Sequence, residues 1–317
     1  MKTKKKTLYL DCASGISGDM MAAALLDLGA DAEVLQKGLE SLPLDGWQTR
    51  VSYVTKSGLR ACDFEVILDQ DNHDHDMEYL YGHLDGAATA TNEASAAESV
   101  GHAHAYVHTN THGSEHIHTC GTEHEYVHEH EHVVERNHEH AHSHEHRGLA
   151  EILNIIEASC ATRGAKAIAC RTFEILAQAE AKAHGVSVEE VHFHEVGAVD
   201  SIVDIIAASV CLDNLSPQNV YVPKLCEGQG SVRCQHGILP VPVPAVTNIV
   251  QACGIPLSII NVHGELVTPT GAAFVAAVRT KAQLPETFTI TRVGLGAGKR
   301  TYPETSGLLR AFVIVVE

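Results

Sequence analysis

The sequence predicts a mixed α+β protein carrying a long disordered insertion. Three observations point there. Short apolar strand-like runs open and close the chain, apolar helical stripes fill its middle, and one block follows neither period. His73 to His146 hold 18 of the 23 histidines and 14 acidic residues against one basic residue, Arg136. That block carries −13 of the −18 net charge, leaving an ordinary −5 for the rest of the chain. The expected organisation is therefore an N-terminal segment over 1–70 with a small sheet and helices, and an acidic His-rich metal-binding insert over 71–147. A helical and mixed αβ part over 148–285 completes the main domain. Residues 286–317 begin a further C-terminal domain.

Thr7 to Asp11 is a short apolar strand. Gly15, Ser17 and Gly18 break it, and Asp19 to Leu28 reads as an apolar helix stopped by Gly29. Asp31 caps a second helix to about Leu42. Gln48 to Tyr53 and Phe64 to Leu68 alternate as strands. After the insert, Leu149, Ile152, Leu153 and Ile156 form one helical stripe, and Ile168, Ile175, Leu176 and Ala179 another, ending near His184-Gly185. Val199 to Leu212 is an apolar helix and Val220 to Val222 a strand. Pro240, Pro242 and Pro244 predict a stiff extended segment. Ala245 to Ala252 is helical, and Leu257 to Ile260 is a strand. Thr268-Pro269 opens a helix to about Lys281. Phe288 to Val293 and Leu308 to Val316 are strands flanking a glycine-rich stretch, Gly294 to Lys299.

Composition narrows the function. An excess of acid and a 5% aromatic content argue against a nucleic-acid binder. The apolar run Ala311 to Val316 is strand-sized, well short of the roughly 18 residues that span a bilayer. The lysines near the N-terminus are followed by no signal-type apolar core, so a cytoplasmic protein is expected. Nine scattered cysteines without a C-x-x-C pair agree with reduced thiols.

Imidazole suits nickel, zinc and copper, and interleaved carboxylates add oxygen ligands. The insert, with His124, His128, His130, His132, His138, His140, His142, His144 and His146 as its densest run, reads as a metal buffer. Its plain alternative is a solvated acidic linker. A sharper metal pattern is His192-x-His194-Glu195 followed by Asp200 and Asp204. Residues two apart on an extended segment point the same way, and acids four apart share a helix face. Polar surface is the competing reading. The junction Asp11-Cys12-Ala13-Ser14-Gly15-Ile16-Ser17-Gly18-Asp19 places glycines and hydroxyls before a helix, as a phosphate seat does. Asp19 would repel a bare anion, so a metal-bridged phosphate is the more consistent ligand. A well-capped tight turn is the competing reading of that junction. Thr268, Thr270 and Gly271 offer a second such helix start, against which a plain helix cap is the favoured reading, and Gly296, Gly298 and Lys299 a weaker one. His236 and His263 are further candidate ligands.

Several of these runs together resemble the LarC family of nickel-insertion proteins. They are Asp11-Cys12 with Gly15 to Met20, the His-rich insert, Val191 to Asp204, His236 to Pro242 and Glu265 to Ala272. The resemblance runs from residue 7 to the C-terminus. It implies insertion of nickel into pyridinium-3,5-bisthiocarboxylic acid mononucleotide, with protons replaced and a carbon–nickel bond formed. The reaction depends on CTP and on manganese or magnesium, and lactate racemase receives the product. Family members continue past a segment like Gly294 to Arg310, and their nucleotide site goes with that later part. This chain is therefore expected to be a short form that does not complete the CTP-dependent step alone and that pairs with a longer product or another copy. A nickel or zinc storage protein and a metal-dependent phosphoester hydrolase are the competing functions.

Overall fold

The computed structural model describes residues 6–69, 147–193, 198–234 and 236–316. In chain order the elements are β1 (Thr7–Asp11), α1 (Gly18–Asp27), α2 (Ala32–Glu40), β2 (Trp47–Lys56) and β3 (Leu59–Leu68). Then come β4 (Arg147–Gly148), α3 (Leu149–Ala158), α4 (Arg163–His184), β5 (His192–Phe193) and α5 (Val199–Leu215). The remainder is β6 (Asn219–Tyr221), β7 (Leu225–Gln229), β8 (Ser231–Cys234), β9 (Gly237–Pro240), α6 (Pro244–Cys253), β10 (Leu257–His263), α7 (Pro269–Val278), β11 (Phe288–Ala297) and β12 (Leu308–Val316). The mixed α+β class holds.

Six strands form the main sheet in the order β2-β3-β11-β12-β1-β6. β2 and β3 are an antiparallel hairpin running from Trp47 opposite Leu68 to Lys56 opposite Leu59. β11 joins β3 parallel, with Gly296 opposite Cys62, and pairs antiparallel with β12. β12 pairs antiparallel with β1, which takes β6 on its other side in parallel. The chain's first strand thus lies against its last.

α1 lies between this sheet and α5. Its residues Met20 to Leu25 are all buried. Each fully buried Leu or Met contributes about 1.5–3 kcal/mol. α4 packs on α3, α5, α6 and α7, extending the core as a helical layer. α1 can approach the sheet closely because β11 is glycine-rich. A Cβ on Gly296 would fall 2.1 Å from the Met20 carbonyl oxygen, and one on Gly294 would fall 2.3 Å from that of Ala24.

Three expectations change here. β11 runs through Gly294 and Gly296 to Ala297, so these glycines are strand residues under a helix and not a loop. Residues 288–316 do not start a separate domain, because β11 and β12 are interior strands of the main sheet. The proline-rich stretch is no single rod: Pro240 ends β9, Val241-Pro242 is a cis peptide and Pro244 opens α6. The His-rich insert lies outside the described residues, as do His194 and Glu195.

An acidic site at the start of the first helix

The two helix starts singled out as phosphate seats are neighbours. The loop from β1 to α1 forms a parallel bridge, Ile16 with Val267, to the segment that leads into α7. The Ile16 amide donates to the Leu266 carbonyl at 2.8 Å, and the Thr268 amide donates to the Ile16 carbonyl at 3.0 Å. Contact this close requires glycine twice. Gly15 holds φ of +86°, and a Cβ there would sit 2.0 Å from the Leu266 oxygen. A Cβ on Gly271 would sit 2.4 Å from the Ile16 oxygen. Thr268 caps α7, accepting from the Gly271 amide at 3.2 Å and bonding the Thr270 hydroxyl at 2.8 Å.

Glu227 braces the junction from beneath. Its Oε1 accepts the amides of Leu266 at 2.7 Å, Gly228 at 2.8 Å and Val267 at 3.1 Å. The side chain is fully buried, and its Oε2 has no hydrogen-bond partner among the described residues. Burial outweighs the three amides and pushes the carboxyl up to about 7.

Over the N-terminus of α1 stand Asp19 and Asp204. Ser17 donates its hydroxyl to Asp19, and the Met20 amide donates to the same carboxylate. The Asp19 amide donates to Asp204. Gly18 admits Asp204, whose Cβ would be 2.8 Å from a Cβ at that position. Burial pushes both carboxyls above the ordinary range, and the repulsion of Asp19 and Asp200 pushes Asp204 further. Asp204 Oδ1 is buried with no hydrogen-bond partner among the described residues.

Lysines rim these acids, with Arg300 beyond them on Glu265. Lys299 bonds Asp63 at 2.6 Å and acts electrostatically on Asp19 and Asp204. Lys56 bonds the Gly298 carbonyl, and the Arg300 carbonyl at 2.6 Å. Arg300 pairs with Glu265 at 2.9 Å.

The amides expected to meet an anion are therefore committed. Gly15 donates to the Cys12 carbonyl at 3.1 Å, Ile16 to Leu266, and the α1 amides of Asp19 and Met20 to carboxylates. The helix start carries its own negative groups, an arrangement for a cation rather than for a bare phosphate. Asp11 accepts from the Ala13 amide at 3.2 Å and pairs with Arg310, stapling β1 to β12. Ser14 bonds the hydroxyls of Ser306 at 2.9 Å and Thr305 at 2.8 Å. Gly296 lies under α1, Gly298 follows β11 with Lys56 on its carbonyl, and Lys299 is bonded to Asp63. The structure brings Asp204 to Asp19, two residues assigned by sequence to different ligands. The backbone of His192 pairs with Gly148. Among the described residues, no three His, Cys, Asp or Glu side chains are already grouped to hold a metal.

Glu227, Lys56 and Asp63 escaped sequence reading. No spacing or motif in the sequence marks them.

The family description "Nickel insertion protein" matches residues 8–317. A pyridinium-3,5-bisthiocarboxylic acid mononucleotide nickel insertion protein of Alkaliphilus metalliredigens is 42% identical over 308 residues, covering 97% of this chain and 60% of the relative. A protein of the same name from Geobacillus kaustophilus is 35% identical, covering 97% and 59%. Another from Akkermansia muciniphila is 32% identical, covering 98% and 61%. The chain spans about three-fifths of the length of these relatives. No solved structure matches it. With the family matched along nearly all of its length, this chain belongs to the nickel insertion proteins.

Proposed function

We propose that this chain serves nickel insertion into pyridinium-3,5-bisthiocarboxylic acid mononucleotide, the reaction for which its relatives are named. The observation that carries the site is the Asp19–Asp204 pair with its partnerless buried oxygen, set against the Thr268–Gly271 helix start. Hard carboxylate oxygens suit magnesium or manganese, and Asp200 is the third oxygen donor in electrostatic reach. A divalent cation there would neutralise the acids and bridge them to the mononucleotide phosphate. Thr268 and Thr270 would offer hydroxyls to that phosphate. Nickel is the substrate metal, gathered by the insert and by His192, His194 and Glu195. CTP is the proposed co-substrate, and the apoprotein of lactate racemase, in the cytoplasm, is the proposed recipient of the product. No helix among the described residues is long and apolar enough to cross a membrane.

Calorimetric titration of the mononucleotide into the chain, with and without manganese, tests this reading. Binding that requires manganese and disappears in Asp204→Asn is the expected result. Metal-independent binding, or none, overturns it. Release of inorganic phosphate from the mononucleotide would favour the hydrolase reading instead.

A further inference from the structure

Away from the acids, nitrogen and sulfur donors gather between the end of α4 and the β8–β9 turn. The ring centroids of His184 and His236 lie 4.9 Å apart, tilted by 44°. Cys234 Sγ lies 3.9 Å from His236 Nδ1. Two elements distant in sequence bring these side chains together. His184 is the last residue of α4, which the left-handed Gly185 terminates, and Cys234 ends β8 at the turn into β9. Glu180, one helical turn before His184, faces its Nε2 at 3.7 Å. A carboxylate facing one imidazole nitrogen orients the ring.

We infer that Cys234 and His236, joined by His184 once its side chain turns toward them, bind a borderline first-row divalent cation of the nickel, cobalt and zinc class. A thiolate and an imidazole on one tetrahedral metal stand about 3.5 Å apart, given metal–sulfur and metal–nitrogen bonds of about 2.3 and 2.0 Å. The Cys234–His236 pair is within half an ångström of that spacing. His184 closes the set by a side-chain rotation at the protein surface, where rotamers exchange in picoseconds to nanoseconds. Thiolate and imidazole donors select against magnesium and manganese, the ions that suit the oxygen-only cluster of Asp19 and Asp204. The two sites thus sort cations by hardness. This inference does not rest on the proposed reaction.

Cobalt(II) serves as the probe, because thiolate ligation gives a near-ultraviolet charge-transfer band that imidazole and carboxylate ligation do not. The full chain is titrated to saturation anaerobically with a phosphine reductant present. The wild type is expected to show the band, Cys234→Ser to lose it, and His236→Ala to weaken it. Cys120→Ser, which removes the one thiol of the His-rich insert, is expected to keep it. Unchanged thermal unfolding of the metal-free variants shows that the fold is intact. A wild-type protein without the band, or a band that survives in Cys234→Ser, overturns the inference.

Discussion

With a cation proposed beside it, Asp204 is a liability to the metal-free fold. Its carboxyl is pushed up by burial and by two neighbouring acids, so the metal-free fold disfavours its charged form. Asp204→Asn keeps the shape and removes the charge. We expect it to stabilise the metal-free protein by about 1 kcal/mol while abolishing manganese binding, the trade expected of a strained functional site. Thermal unfolding with and without manganese checks both halves. Glu227 has the same sign and the same leading cause, burial. Its folded value of about 7 exceeds the ordinary 4.5, so the folded state holds the proton more tightly than the unfolded chain. Its contribution is complete below pH 4.5 and is lost as pH rises through 7, on the order of 3 kcal/mol in all. Glu227→Gln preserves the oxygen that accepts three amides and does not titrate. Denaturant unfolding should show the variant gaining on the wild type between about pH 5 and 7.5. A constant difference would mean that Glu227 ionises normally. Asp200 and Asp204 were legible because residues four apart share a helix face, whereas a lone glutamate in a strand shows nothing of the amides that fold onto it.

At the scale of elements, apolar periods marked most helices and the six strands of the main sheet. Thr7–Asp11 and α1 lie where the sequence places them to within a residue. The glycines of β11 misled, because Gly294 and Gly296 look like a loop until α1 is laid across them. That contact gives a prediction. Gly296→Ala puts a methyl group 2.1 Å from the backbone oxygen of Met20, which cannot swing aside as a side-chain tip would. Helix and strand must part, at a cost of roughly 3 kcal/mol. Because α1 begins at the acids, manganese affinity should fall with stability. A denaturation midpoint equal to the wild type's would show that α1 does not sit so low. The β8–β9 hairpin went unread, because Ser231 to Pro240 mixes charge, cysteine and proline without a clean alternation.

Across the whole molecule, charge divides the labour. The insert's histidines must be neutral to ligate, and free imidazoles titrate near pH 6.5. Nickel titration should give several equivalents per chain at about pH 7.5 and lose most of them near pH 5. Unchanged stoichiometry would exclude histidine as the ligand. The acid cluster, proposed as a separate centre of different hardness, is built where the chain's first loop meets the start of α7. Its connection to the helix that follows the His-rich motif was not readable in sequence, because it depends on α5 crossing α1 at Gly18. The most direct test is anomalous diffraction from crystals grown with manganese and the mononucleotide. A manganese peak between Asp19 and Asp204, with the substrate phosphate on its open side facing Thr268, is the predicted result. A phosphate seated elsewhere, with no metal on these two carboxylates, would contradict the account.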